Sequence, residues 1–118
     1  MYTSTPLKIL IIDDEPQILK LLSKMLSRKK FNVDTAINGH DGIKKIDSNE
    51  YDLVLTDILM PGLTGRHVRD YIKVTGQKKI LVIGMSGTPW LLDEGEFDAV
   101  LAKPFSMDQV LDVINQLI

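Results

Sequence analysis

The chain has 118 residues, of which 44% are hydrophobic and 25% are charged, and its formal net charge at pH 7 is −2. These values are typical of one globular domain with its own hydrophobic core, and they exclude disordered and fibrous classes. Fourteen basic and sixteen acidic side chains create no overall positive field that would attract nucleic acid or anionic lipid. The absence of cysteine excludes disulfides and thiol catalysis and suits a reducing compartment.

The longest aliphatic run near the N-terminus, residues 9–12, is too short for a signal-peptide core or a membrane span. We therefore expect a cytoplasmic protein that has no membrane partner and makes no direct contact with nucleic acid. A single domain is expected over residues 1–118, in which residues 1–6 form a loose N-terminal leader.

Short apolar runs alternate along the chain with segments of helical periodicity. Runs rich in β-branched residues predict strands, and apolar residues spaced by three or four predict helices. Proline near a helix start and glycine near a helix end help to place the boundaries. In chain order, the predicted elements are a strand at 7–12, a helix that begins at Pro16, a strand at 31–37, a helix at 41–48, a strand at 53–57, a helix at 65–74, a strand at 80–83, at most a short helix within 88–95, a strand at 97–102 and a final helix after the N-cap Ser106.

Five strands that alternate with helices predict an α/β fold, because each connection between parallel strands has to cross back over the sheet. The sheet is then doubly wound, with helices on both faces. In such a sheet the ligand crevice lies beyond the carboxyl ends of the strands, near the point where the strand order reverses. Functional side chains are therefore expected at strand ends.

Polar residues follow four of the predicted strands at this edge. Asp13 and Asp14 come after the first strand, Asp57 after the third, Ser86 after the fourth and Lys103 after the fifth. Each residue has a plainer explanation in isolation, since acids favour helix starts and turns, and serine and lysine are common in turns and on surfaces. Their convergence from separate segments predicts a functional site at one edge of the sheet.

Three neighbouring carboxylates would repel one another at neutral pH unless a cation lay among them. Carboxylate oxygens match Mg²⁺, which tends to bind beside phosphate. Asp57 is then a candidate nucleophile that takes a phosphoryl group on a carboxylate oxygen. Lys103 and the Ser86 hydroxyl are candidates for holding the phosphoryl oxygens.

Four segments carry a resemblance to a known family. In this order, "ILIIDDEP", "LVLTDILMPGLTG", "MSG" and "LAKPF" resemble the signatures of receiver domains in bacterial two-component response regulators. The likeness extends from about Lys8 to the C-terminus. It implies a flavodoxin-like three-layer sandwich whose five parallel strands have the order 2-1-3-4-5.

The resemblance also implies roles for the residues at the sheet edge. Asp57 would accept a phosphoryl group from a sensor histidine kinase or a histidine phosphotransfer protein, and the domain would catalyse its own phosphorylation and dephosphorylation. The implied Mg²⁺ ligands are Asp13, Asp14, Asp57 and the backbone carbonyl of Leu59. Ser86 would be the switch hydroxyl and Lys103 the phosphate-sensing lysine. The phosphorylated form would bind a downstream protein that the sequence does not identify.

Departures from the family pattern concern the output step. Receiver domains commonly carry an aromatic residue on the fifth strand where this chain has Val100, which argues against a relay through that side chain. The interval from Ser86 to Lys103 is short, and predicts a fourth helix shortened by about one turn. Residues 90–92 then either form an apolar contact surface or cover the core. The resemblance also predicts a cis Lys103–Pro104 peptide bond.

Other functions stay open at this point. A phosphatase of the haloacid dehalogenase type also forms an aspartyl phosphate with Mg²⁺, although its Asp-x-Asp motif would require an aspartate where Leu59 stands. A flavodoxin-like cofactor carrier shares the strand order, although no glycine- or serine-rich phosphate loop follows Ile12. A receiver whose site no longer works is the third alternative. His40 and His67 follow no predicted strand and are interpreted as ordinary surface or loop residues.

Overall fold

The computed structural model describes residues 6–76, 79–93 and 95–118, so most of the leader predicted at 1–6 lies outside the described residues. The elements are β1 Lys8–Ile12, α1 Pro16–Arg28, β2 Asn32–Ala36, α2 Gly39–Ser48, β3 Leu53–Asp57, α3 Gly65–Val74, β4 Leu81–Ser86, β5 Ala99–Ala102 and α4 Met107–Leu117. The described residues form one five-stranded parallel sheet of order β2-β1-β3-β4-β5, which confirms the predicted doubly wound fold.

Alternate side chains of the central strands point to opposite faces of the sheet and build two hydrophobic cores. One core contains the inward residues of α1 and α4, and the other contains those of α2 and α3. Residues 9–12 and 53–55 are buried between these layers, which explains their continuous apolar sequences. In the described ranges, no helix combines the length and apolar character that a bilayer-spanning helix requires.

Side-chain caps fix the starts of α2 and α4. Ser106 accepts a hydrogen bond from the backbone N–H of Gln109, whose side chain accepts one from the N–H of Ser106. This reciprocal pair confirms the predicted N-cap. α2 begins at Gly39, two residues earlier than predicted, because the Asn38 side chain accepts a hydrogen bond from the backbone N–H of Asp41.

His67 has a structural role that the sequence did not predict. Its Nδ1 accepts a hydrogen bond of 2.9 Å from the backbone N–H of Thr64, and the Thr64 side chain accepts one from the N–H of His67. The imidazole therefore takes the place that glutamate or glutamine usually holds in a capping box, and it fixes the start of α3.

β4 extends three residues beyond the predicted end at Ile83. Gly84 and Met85 continue the pairing with both neighbouring strands, and Ser86 continues it with β5. The packing at Gly84 is tight, because a Cβ there would lie 2.8 Å from Ile58 Cδ1 and would displace that side chain. Residues that appear loop-forming in the sequence are thus held in the sheet by tertiary packing.

The crossover between β4 and β5 contains only a short helical segment, as predicted. In its described residues this segment is a 3₁₀ turn, Pro89–Leu91. Pro89 opens this turn, Leu92 is already extended, and Gly95 has a φ of 78°. Phe97 is part of the core that contains α2 and α3, and Leu92 packs against it.

Candidate functional site

The carboxyl ends of four strands bring the predicted site residues to one edge of the sheet. Asp57 is the last residue of β3 and Ser86 is the last residue of β4. Asp13 follows β1 directly, and Lys103 follows β5 directly. Parallel pairing places Asp57 beside Met85, so the tips of the two central strands lie level. The fold therefore places the predicted site residues at the carboxyl ends of the strands.

Asp13, Asp14 and Asp57 form an acidic cluster, in which each residue offers a carboxylate oxygen within 4.8 Å of the others. Asp13 and Asp57 are buried, whereas Asp14 is exposed. The Lys103 ammonium lies 3.1 Å from Asp57 Oδ2 and 3.5 Å from Asp13 Oδ2. The acidic cluster and the lysine therefore form a single charged group.

Burial disfavours the charged forms of the two inner carboxylates. Desolvation raises the pKa of Asp57, and the hydrogen bond and charge of Lys103 oppose that rise without cancelling it. Desolvation also raises the pKa of Asp13, although the backbone N–H of Glu15 and the charge of Lys103 act to lower it. Burial acts to lower the pKa of Lys103, but the hydrogen bond and charge of Asp57 outweigh burial and leave that pKa raised. The lysine stays charged, and it relieves the carboxylates only in part.

The two carboxylate oxygens of Asp13 have different surroundings. Oδ1 accepts a hydrogen bond of 2.8 Å from the backbone N–H of Glu15 and so helps to order the start of α1. Oδ2 is buried and, among the described residues, has no hydrogen-bond partner, since Lys103 at 3.5 Å makes an ion contact without hydrogen-bond geometry. The plain explanation of Asp13 as a helix-start residue thus accounts for Oδ1 alone. A buried oxygen with unused lone pairs, beside two further carboxylates, fits Mg²⁺.

Ser86 and Lys103 are connected through the backbone. The N–H of Lys103 donates a hydrogen bond of 2.7 Å to the Ser86 carbonyl. The Ser86 side chain is buried, and its Oγ accepts a hydrogen bond of 3.0 Å from the backbone N–H of Thr88. The Lys103–Pro104 peptide bond is cis, which confirms the prediction.

The chain packs tightly where it leaves Asp57. Asp57 Oδ1 accepts a hydrogen bond of 3.3 Å from the backbone N–H of Leu59, whose side chain is 68% exposed. The N–H of Gly65 donates to the carbonyl of Ile58 at 3.1 Å. A Cβ at position 65 would lie 2.6 Å from the carbonyl oxygen of Asp57, so only glycine fits there. Sequence analysis missed this constraint, and the one available signal was the glycine that closes "LMPGLTG".

The fold and the site together define a flavodoxin-like α/β protein that carries an acidic cluster and a lysine at the carboxyl edge of its sheet. Comparison with known proteins then identifies the family. The family model for the response regulator receiver domain matches residues 9–115 of the sequence, and the chain belongs to this family.

Individual relatives support this assignment. The response regulator TrrA from Thermotoga maritima, in complex with Mg²⁺-BeF, is 32% identical with a TM-score of 0.84 over 95% of this chain and 99% of that one. TrrA bound to the histidine kinase ThkA gives 33% identity and a TM-score of 0.83, over 95% of this chain and 98% of the other. The response regulator ArlR of Staphylococcus aureus is 30% identical over 115 residues, 94% of this chain and 52% of ArlR. The chain therefore spans about half the length of this curated relative.

Family membership decides between the alternatives that the sequence left open. It confirms the resemblance to receiver domains, and it removes the dehalogenase-type phosphatase and the flavodoxin-like cofactor carrier. A receiver whose site does not work is still an alternative. A phosphorylation assay distinguishes it from a working receiver.

Proposed function

We propose that this domain is a phosphorylation-controlled switch of a two-component system and that Asp57 accepts the phosphoryl group. The observation that carries the proposal is the position of the Lys103 ammonium, 3.1 Å from Asp57 within the acidic cluster. Asp57 ends a central, fully buried strand and is hydrogen-bonded to the lysine. These contacts hold one of its carboxylate oxygens and leave the aspartate at the edge where parallel sheets bind ligands.

Phosphoryl transfer requires that the Asp57 side chain be deprotonated. In the proposed step a carboxylate oxygen of Asp57 attacks phosphorus, and the bond between phosphorus and a histidine nitrogen of the donor breaks, leaving its electron pair on that nitrogen. Only the deprotonated carboxylate attacks. Burial works against that form, and the hydrogen bond and charge of Lys103 support it. The same ammonium is near the negative charge of the phosphoryl oxygens.

The ligands proposed for Mg²⁺ are Asp13, Asp14, Asp57 and the backbone carbonyl of Leu59. When bound, the ion supplies positive charge that offsets the repulsion among the carboxylates and the charge of the phosphoryl oxygens. The unsatisfied Oδ2 of Asp13 supports this ligand set. The complex of the related TrrA with Mg²⁺-BeF supports it as well.

The proposed phosphoryl donor is a sensor histidine kinase or a histidine phosphotransfer protein, and the proposed location of the domain is the cytoplasm. The complex between TrrA and the kinase ThkA supports a kinase as donor. We propose Ser86 as the switch hydroxyl, because its buried Oγ is held by the Thr88 N–H next to the acidic edge. The downstream target is proposed to be a protein, since the net charge of −2 does not favour direct binding to nucleic acid.

Intact-mass spectrometry tests the proposal directly. Wild-type protein incubated with Mg²⁺ and acetyl phosphate should gain one phosphoryl group, and Asp57→Asn should gain none. Asp112→Asn is a matched control because Asp112 is exposed on α4, and this variant should label like the wild type. Chelation of Mg²⁺ should prevent labelling. An unlabelled wild type, or a labelled Asp57→Asn variant, would contradict the proposal.

A further inference from the structure

The crossover between β4 and β5 presents an unusual surface beside the site. We call residues 87–92 the output turn. Trp90 is 75% exposed and Leu91 is 69% exposed, whereas Leu92 turns inward and packs against the core. The two large apolar side chains at the tip thus contribute little to the core, and the question is what holds the output turn in place.

The start of the output turn is tied to the switch serine. Ser86 Oγ accepts the backbone N–H of Thr88 at 3.0 Å and lies 3.5 Å from the Thr88 hydroxyl. The Thr88 carbonyl in turn accepts the N–H of Leu91 at 3.0 Å. The orientation of one hydroxyl therefore bears directly on the first turn of the segment. If the Ser86 side chain moves, the few residues of the output turn are the ones expected to move with it.

Ion pairs to α3 hold the chain just beyond the output turn. We call Arg66, Arg69 and Glu96 the Glu96 clasp. Glu96 Oε1 accepts a hydrogen bond from Arg66 Nε and lies 3.2 Å from Arg69 Nη1, while Oε2 accepts the backbone N–H of Asp93 at 3.2 Å. The Glu96 side chain is only 11% exposed, and the hydrogen bond from Arg66 does most to hold its pKa below the usual range. A charged group this well paired fixes the local backbone.

The Glu96 clasp is also fixed relative to the acidic cluster. Arg69 Nη1 donates to the carbonyl of Glu96 at 2.9 Å, and its guanidinium lies 5.3 Å from the centre of the Phe97 ring. α3 itself begins at Gly65, whose backbone packs against the carbonyl of Asp57. The Glu96 clasp and the Phe97 ring thus hold the crossover to α3 and to the core.

On the basis of the proposed function, we propose that the Glu96 clasp is the anchor against which the output turn moves when Ser86 turns toward a phosphoryl group, so that Trp90 and Leu91 change position. The output turn joins a movable hydroxyl at one end to an ion cluster fixed on α3 at the other. Displacement at Ser86 is therefore concentrated in residues 87–92. Val100 stands where an aromatic relay would be expected, and this route does not require that side chain.

Trp90 is the only tryptophan in the sequence, so its fluorescence reports on the output turn alone. Emission and acrylamide quenching should be measured before and after addition of Mg²⁺ and beryllofluoride, a stable mimic of the phosphoryl group. The wild type should show a saturable change. In Glu96→Gln the amplitude should fall by roughly half or more, because the anchor is weakened and the turn already samples several positions without the ligand.

Controls separate this inference from the proposed function and from loss of folding. Asp70→Asn removes the exposed carboxylate that pairs with Arg69 and leaves the Glu96 clasp intact, so it should respond like the wild type. Arg66→Gln removes one partner of Glu96 and should give an intermediate amplitude, which provides a second test if Glu96→Gln does not fold. Acetyl phosphate labelling of each variant reports the state of Asp57 independently.

The possible results have distinct meanings. If Asp57 labels but Trp90 of the wild type does not respond, the inference about the output turn is wrong and the proposed function stands. A full response in folded Glu96→Gln shows that the Glu96 clasp is not the anchor. An unlabelled wild type overturns the proposed function and this inference with it.

Discussion

Replacing Asp13 by asparagine should make the metal-free protein more stable. Asp13 is fully buried, and its Oδ2 has no hydrogen-bond partner among the described residues. An unsatisfied buried polar group costs about 1–3 kcal/mol, more when it is charged, and attraction to Lys103 at 3.5 Å returns part of that cost. We therefore expect a net gain of about 1–2 kcal/mol. For 118 residues an unfolding entropy of about 2.1 cal/mol/K per residue converts this gain to about 4–8 °C in Tm.

The gain should depend on pH in a defined direction. The pKa of Asp13 is raised in the folded state, so between the ordinary value of 3.8 and the raised value the folded state binds more protons than the unfolded state. Protonation of Asp13 therefore stabilises the folded wild type at low pH. This stabilisation is lost as the pH rises through the pKa that Asp13 has in the folded state. The advantage of Asp13→Asn should therefore be small near pH 4 and should grow as the pH rises through the raised pKa of Asp13.

Added Mg²⁺ should stabilise the wild type more than Asp13→Asn, because the variant lacks one of the proposed carboxylate ligands. At ten times its dissociation constant, a ligand that binds only the folded state adds about 1.4 kcal/mol, or about 6 °C here. The wild type should gain this much, and Asp13→Asn clearly less. Thermal unfolding in EDTA and in Mg²⁺, with Asp112→Asn as the control, measures both effects. A Tm for Asp13→Asn several degrees below the wild type in EDTA would refute the reasoning, because it would mean that pairing with Lys103 outweighs desolvation.

Three further changes test packing and access around the site. Trp90→Ala should leave Tm within about 2 °C of the wild type, because the Trp90 side chain is exposed. Leu92→Ala should lose about 2 kcal/mol of stability, because the Leu92 side chain packs against the core. Equal losses in thermal unfolding would contradict this. Gly65→Ala should lose about 1–3 kcal/mol through its contact with the preceding backbone, and Gly87→Ala, where a Cβ meets open space, should lose almost nothing. Leu59→Asn should shorten the lifetime of the acyl phosphate, measured by mass after removal of the phosphodonor, and an unchanged decay rate would show that the exposed leucine does not shield it from water.

Much of the fold was predictable because local patterns and topology agree. α3 was predicted at residues 65–74 and is observed at Gly65–Val74. Continuous apolar runs predicted central strands, and parallel crossovers then required their carboxyl ends to meet at one edge. The meeting of Asp13, Asp57, Ser86 and Lys103 follows from this rule alone.

Where the sequence interpretation failed, tertiary contacts override local preference. Gly84 and Ser86 are poor strand formers, yet both lie in β4. Ile58 and Phe97 pack over Gly84, which pairs with both neighbouring strands, and Ser86 pairs with β5. The Glu96 clasp joins residues 27 and 30 positions apart, and no periodic pattern marks such pairs. The sequence predicted that this crossover holds at most a short helix, but it could not predict the long-range contacts that hold the crossover in place.

The charge state of the site residues could not be predicted from the sequence. Residue types at strand ends predict which groups meet, but whether Asp13 and Asp57 keep their charge depends on burial and on distances to a single ammonium. Lys103 relieves the repulsion in part, and one Asp13 oxygen is left unsatisfied among the described residues. A fully compensated site would gain little from binding a cation or a phosphoryl group. Because a ligand shifts an equilibrium only through its differential affinity for the two states, this residual imbalance is the property on which the proposed switch depends.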